Sequence, residues 1–209
     1  MSWKVRRMVE HITVRPAVPS EAEVIASMWD QTSRWLKDLG SDQWQYPADM
    51  EKISRDVKQG TAYVAHRYDR YFGTITLDGF ADPEFWTADD ATEDALYAHR
   101  IITLPSARGH GIGSALLDWA SQKAYEAGKR WLRVDVWKTN KELHRYYEQH
   151  GFKLVRTVDL PHRRSGALYQ RIAGTTLGRG PQVTRLENPV HDMNGNPITE
   201  GYGGRTNPT

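Results

Sequence analysis

The run IITLPSARGHGIGSALLDWA, residues 101–120, limits the possible folds more than any other part of the chain. A β-prone apolar stretch stops at Pro105, and glycines then alternate with other residues at Gly109, Gly111 and Gly113. An apolar stripe follows at helical spacing through Ile112, Ala115, Leu116, Trp119, Ala120 and Ala124. A second strand-like run covers 130–137, after a helix stop at Gly128. Strand, helix and strand in this order predict a parallel pair joined by a crossover helix over 114–127.

The flanking segments supply the rest of a sheet. Residues 11–15 alternate as a short strand. Ser20, with Glu23 three residues on, offers a capping box for a helix over 21–39, in which Val24, Ile25, Met28, Trp29, Trp35, Leu36 and Leu39 keep helical spacing before Gly40. A shorter helix is expected over 50–58. Residues 61–66 and 71–77 read as a hairpin, 78–94 as an acidic loop, 95–104 as a more buried strand, 140–150 as a helix, and 152–158 and 166–172 as closing strands. This order predicts the mixed α/β (α+β) class: a mixed sheet covered by helices on both faces, parallel only where a helix crosses over.

One domain is expected over residues 1–172. From Ala173 onward Gly, Pro, Asn and Thr dominate and Tyr202 is the sole aromatic, so 173–209 is expected to be an extended or disordered arm. Clasping of a second subunit, in a homodimer, is the alternative. Lys and Arg number 28 against 26 Asp and Glu, and a formal charge of +2 argues against nucleic acid as a partner. The absence of cysteine removes disulfides, thiolate metal sites and a cysteine nucleophile, and suits a reducing compartment. The eight histidines are scattered without ligand spacing, so no metal is expected. No stretch approaches the roughly 18 apolar residues of a membrane span, and the basic start lacks a signal-peptide core. A soluble, cytoplasmic protein with no membrane partner is expected.

The glycine turn is suited to a phosphate or pyrophosphate. Bare amides at a helix N-terminus, backed by the helix dipole, attract such groups; Arg108 adds charge, and glycine allows close approach. A nucleoside-triphosphate loop would need lysine before Ser114, which directly follows Gly113. A dinucleotide fingerprint would need a third glycine where Ser114 or Leu116 stands. A turn that is only structural stays open as an alternative.

On these residues the sequence resembles the GNAT superfamily of N-acetyltransferases, whose pyrophosphate loop reads Q/R-x-x-G-x-G/A. Arg108, Gly111 and Gly113 fill the fixed places. The run NKELHRYYEQHGF, residues 140–152, supplies the second half of the match, with Asn140 opening a helix, Tyr147 seven residues later, and Gly151-Phe152 after it. The resemblance implies a mostly antiparallel mixed sheet with a central parallel pair, acetyl-CoA as co-substrate, and a small-molecule amine as acceptor. An acyl-CoA-binding module without turnover, or transfer of another acyl group or to a protein amine, are the competing readings.

The resemblance also implies roles. Residues Ile102, Thr103 and Leu104 would pair with pantetheine through their main chain, and Arg108, Gly109, His110, Gly111, Ile112, Gly113 and Ser114 would hold the pyrophosphate. Asn140 would hold the pantetheine arm, cap its helix, or both. Tyr147 would give a proton to the departing thiolate, with Tyr146 as its rival one helical step, about 100°, away. Apart from the resemblance, His99 lies on the strand leading to the acyl site and is a candidate base, since an imidazole can accept a proton near neutrality, with a purely structural histidine as the alternative. Asp135 could anchor a cationic substrate or act as base itself, with an ion pair to Arg133 or Arg100 as the structural alternative. In the acceptor pocket Trp44 is the leading aromatic, because Trp29 and Trp35 share the spacing of the core stripe.

Overall fold

The computed structural model describes residues 10–185. In chain order it contains β1 (His11–Pro16), α1 (Ala22–Asp38), α2 (Met50–Lys58), β2 (Ala62–Arg67), β3 (Arg70–Asp78), β4 (Ala95–Thr103), α3 (Ile112–Glu126), β5 (Trp131–Trp137), α4 (Lys141–Gln149), β6 (Lys153–Thr157), β7 (Ser165–Ile172) and β8 (Gln182–Arg185). The strands form one sheet in the order β6-β7-β5-β4-β3-β2-β1-β8. The crossover unit forms as expected, with β4 and β5 parallel and α3 between them in sequence.

Each face of the sheet carries its own core. Ile112, Leu116, Trp119 and Ala120 of α3 join Ile75, Leu132, Val134 and Tyr147 on one face. On the other face Ile25 and Ala26 of α1 pack with Ile53 and Val57 of α2 against Ala62 and Val64. At strand periodicity, burial of alternate residues assigns each strand residue to one of these layers.

The start of α1 differs from the capping box expected at Ser20. A single 3-10 turn over Pro19–Glu21 precedes the helix, and Glu21, not Glu23, reaches back to accept from Val18 N at 2.8 Å. Arg15 and Tyr71 explain the shift: both bond the Glu21 carboxylate, at 2.7 and 2.5 Å, and draw it inward. The Arg15 and Tyr71 bonds and the Val18 amide together outweigh the burial that opposes its charge, and hold Glu21 below the usual carboxylate range.

A parallel strand after residue 172 has no counterpart in the sequence pattern. Beyond β7 the chain lies along α3: Gly174 N donates to Ser121 O at 2.8 Å, and the amides of Leu177 and Gly178 reach the Asp118 carboxylate at 2.8 and 2.9 Å. Arg179 bonds the Gln149 carbonyl at the end of α4, at 3.0 Å. The chain then pairs as β8 with the outer edge of β1. Residues 186–209, with Tyr202, lie outside the described residues, as do 1–9. Among the described residues no helix is long and apolar enough to cross a membrane.

Candidate active site

The turn from β4 into α3 presents unpaired amides. Gly109 and Gly111 take positive φ, 79° and 72°, and Gly111 is the N-cap of α3. Ala107, Arg108 and His110 amides bond back within the turn, and Ala115 N bonds Gly111 O. Among the described residues no acceptor meets the amides of Gly109, Gly111, Ile112, Gly113 or Ser114. The buried Ser114 hydroxyl is likewise without a partner. A concentration of donors this size, at the positive end of a helix of 15 residues, fits a phosphate-bearing group. The Arg108 guanidinium lies 5.1 Å from the Trp35 ring centroid, which ties its charge to α1.

The strands leading to this turn separate. β4 and β5 pair only through Ala95–Trp131, Leu96–Leu132 and Tyr97–Arg133. Beyond Tyr97, β4 keeps its bonds to β3 but has none to β5, so the edge carrying Ile102, Thr103 and Leu104 is left open toward β5. A β-bulge sharpens the separation: between the pairs Thr76–His99 and Thr74–Ile102, β4 has one residue more than β3. Arg100 absorbs it with φ of 45°, rare for a side chain of this size. The bulge breaks the alternation, so His99 and Arg100, though adjacent, both line the same cavity, and Arg100 reaches Asp56 of α2.

A cavity of about 1010 Å³ fills the opening. His99, Asp135, Trp44 and Tyr147 all line it, which brings together residues from β4, β5, the α1–α2 connection and α4. Tyr147 belongs to the α3-side core, whereas Asp135 sits between Val134 and Val136 of that core and points the other way. They meet because the sheet is parted here.

His99 bridges two carboxylates. Its Nδ1 lies 3.7 Å from Asp135 and its Nε2 3.3 Å from Asp78, both as ion-pair contacts outside hydrogen-bond geometry. Burial opposes a charge on the ring, but the two carboxylates outweigh it and push the imidazole up to about 9. His99 is therefore an imidazolium at neutral pH. Neither alternative partner of Asp135 is used: Arg133 donates to Tyr97 and to Asp90 O, and Arg100 pairs with Asp56. Asp78 had no signal in the sequence beyond opening an acidic loop.

The two adjacent tyrosines separate cleanly. Tyr146 sits with its ring centroid 4.1 Å from that of His150 and its hydroxyl against Gly113, and burial pushes its phenol up to about 12. Tyr147 is held by Phe152 and Tyr169, with centroids at 5.3 and 6.2 Å, and lines the cavity. Burial raises its phenol as well, so Tyr147 stays protonated across the neutral range.

The α1–α2 connection closes the acceptor side. Trp44, with φ of 57°, stacks on Trp29 at 4.7 Å, and Asp42 accepts from Trp137 Nε1 at 2.9 Å. Asn140 caps α4 by accepting from Leu143 N at 3.0 Å, while its nitrogen donates to Gln43 at 2.8 Å. Both ends of that carboxamide are engaged within the protein, so a cofactor contact by the same side chain competes with these bonds.

A parted parallel pair with an open strand edge, running into a bare-amide turn, is the arrangement that the resemblance to N-acetyltransferases implies. The family model described as acetyltransferase (GNAT) domain matches residues 58–154. The chain is 27% identical over 147 residues to the uncharacterized N-acetyltransferase YesJ of Bacillus subtilis, covering 67% of this chain and 81% of that protein. A GNAT-family acetyltransferase of Listeria monocytogenes superposes with a TM-score of 0.66 at 23% identity, over 77% of this chain and 94% of the other. The PaiA N-acetyltransferase of Thermoplasma acidophilum, crystallised with coenzyme A, gives 0.59 at 16% identity, over 77% and 98%. Residues 58–154 carry a GNAT-superfamily acetyltransferase domain, which marks the protein as an acyltransferase.

Proposed function

We propose that the protein transfers an acetyl group from acetyl-CoA to the primary amine of a small molecule, by direct attack in a ternary complex in the cytoplasm. The observation that carries this reading is the junction of two features: the bare amides from Gly109 to Ser114, and a cavity through the parted sheet lined by Tyr147, His99 and Asp135. Residues 1–172 are assigned as the acetyltransferase domain and 173–209 as an appended arm.

Acetyl-CoA supplies an activated thioester when bound. The amides of Gly109, Gly111, Ile112, Gly113 and Ser114, with the Ser114 hydroxyl, would hold its pyrophosphate, and the open edge at Ile102–Leu104 its pantetheine. Asp135 and Asp78 attract a protonated amine into the cavity. His99 accepts the proton the amine must lose, acting from its neutral form, so the fraction of competent enzyme grows as pH approaches 9. Tyr147, protonated and uncharged, donates to the leaving sulfur.

Calorimetric titration with coenzyme A, run beside an assay of thiol release over a panel of amines, tests this reading. Binding together with amine-dependent release is expected. Binding without release for any amine would identify a non-catalytic acyl-CoA module, and no affinity for any coenzyme A species in folded protein would overturn the assignment altogether.

A further inference from the structure

The cavity is electrically lopsided in a way the acetyl transfer itself does not require. Its β4–β5 side holds Asp78 and Asp135 around one imidazolium, His99, and so carries net negative charge. Its α2 side holds Lys52, Arg55 and Arg100 against two carboxylates, Asp49 and Asp56. Those two carboxylates are already committed. Asp49 caps α2 by accepting from Lys52 N at 3.0 Å, and the buried Asp56 is shared between Arg100 and, at 3.9 Å, Arg55.

Cationic groups are left over on that wall. Among the described residues no carboxylate lies within ion-pair distance of the Lys52 ammonium. Partial desolvation at the cavity rim lowers its ammonium below the usual lysine range, Arg100 and Arg55 adding to the shift against the opposing pull of Asp49 and Asp135. Arg100 uses only Nη2, on Asp56 and on Thr76 at 2.9 Å, so among the described residues its Nε and Nη1 donors have no acceptor. The left-handed backbone at Arg100 is what turns this guanidinium to the same side as His99, and strain of that kind is held where the fold has a use for the side chain.

Resting on the acetyltransferase reading above, we infer that the acceptor is amphoteric: a small amine that also bears an anionic group. Its ammonium sits by Asp78 and Asp135, and its carboxylate or like anion meets Lys52 and the free donors of Arg100, with Arg55 adding charge at the rim. A guanidinium with two free N–H groups and an ammonium without a partner are the groups that recognise such an anion. A plain alkylamine satisfies only one side of the cavity and leaves the other side's cations solvated.

The test compares 3-aminopropanoate and 4-aminobutanoate with their neutral carboxamides and with propylamine, reading thiol release from acetyl-CoA. Wild-type protein is expected to favour the acids by at least about tenfold in kcat/KM, mostly through KM. Lys52→Met should bring that ratio toward one, Lys52→Arg should keep it, and Lys52→Glu should turn the preference toward 1,3-diaminopropane. Lys52 is exposed, so these variants are expected to fold, which melting curves verify. A wild-type ratio near one, or a ratio unmoved by Lys52→Met and Lys52→Glu, overturns the inference and leaves the acetyltransferase reading standing. Thiol release with no amine at all overturns both.

Discussion

The hydroxyl of Tyr146 stands 2.5 Å from the point where a β-carbon on Gly113 would sit. The first turn of α3 and the face of α4 are therefore packed with no room for a methyl group, and the close, tilted contact of Tyr146 with the His150 ring keeps it from swinging away. In an open helix Gly→Ala gains about 1 kcal/mol. Here Gly113→Ala is expected to do the reverse, lowering the melting temperature and weakening coenzyme A binding by about tenfold, roughly 1.4 kcal/mol, as read by calorimetry.

Removing one phenolic oxygen separates the two tyrosines. Tyr147→Phe keeps the ring packing on Phe152 and Tyr169, so coenzyme A affinity and melting temperature should hold while the transfer rate falls by about 10²–10⁴. Tyr146→Phe should leave the rate within a few-fold. A rate unchanged in the first variant and collapsed in the second would exchange their roles.

With His99 as the proposed base, its protonation is expected to set the pH profile. Its raised value means that neutral imidazole is scarce at pH 7, so kcat/KM should climb through the range up to about 9 and then level. The same shift bears on stability with a definite sign. A proton held more tightly in the folded state stabilises fully below the free value of 6.5 and loses that contribution as pH rises toward 9. His99→Gln should therefore flatten the rate profile, and its stability deficit against the wild type should shrink between those two pH values, as measured by denaturant titration.

Much of this was legible because it is periodic or local. The stripe on α3, the glycines before it and the hairpin of β2 and β3 depend on neighbours within a few residues, and they stand where the spacing put them. What lay beyond reach depends on register. One extra residue in β4 turns Arg100 onto the side of His99, and no alternation in the sequence marks it. Asp78 meets His99 because β3 and β4 pair antiparallel with Asp78 opposite Tyr97 and Thr76 opposite His99, which makes Asp78 the diagonal neighbour of His99, a relation set by pairing and not by composition. At α1, tertiary bonds from Arg15 and Tyr71 to Glu21 overrode the local signal at Ser20. The strand β8 was invisible because its residues gain an edge only after β1 is already in place.

Ending the chain at Ala173 should lower the melting temperature by about 5–10 °C, since it strips the edge of β1 and leaves the Asp118 carboxylate without the Leu177 and Gly178 amides. Gly111 and the arm also fit closely: a β-carbon on Gly111 would come within 2.6 Å of the Arg179 carbonyl. Gly111→Ala should accordingly perturb the arm and the phosphate turn together, visible as faster hydrogen exchange in both segments.

That arm departs from β7, on one side of the gap between β4 and β5, and is stitched to β1 on the other. The molecule thus carries its own tether across the place where its sheet can breathe. Moving β5 and β7 away from β4 and β1 would pull on residues 174–181, so the arm ties the two halves of the sheet to each other from outside the gap.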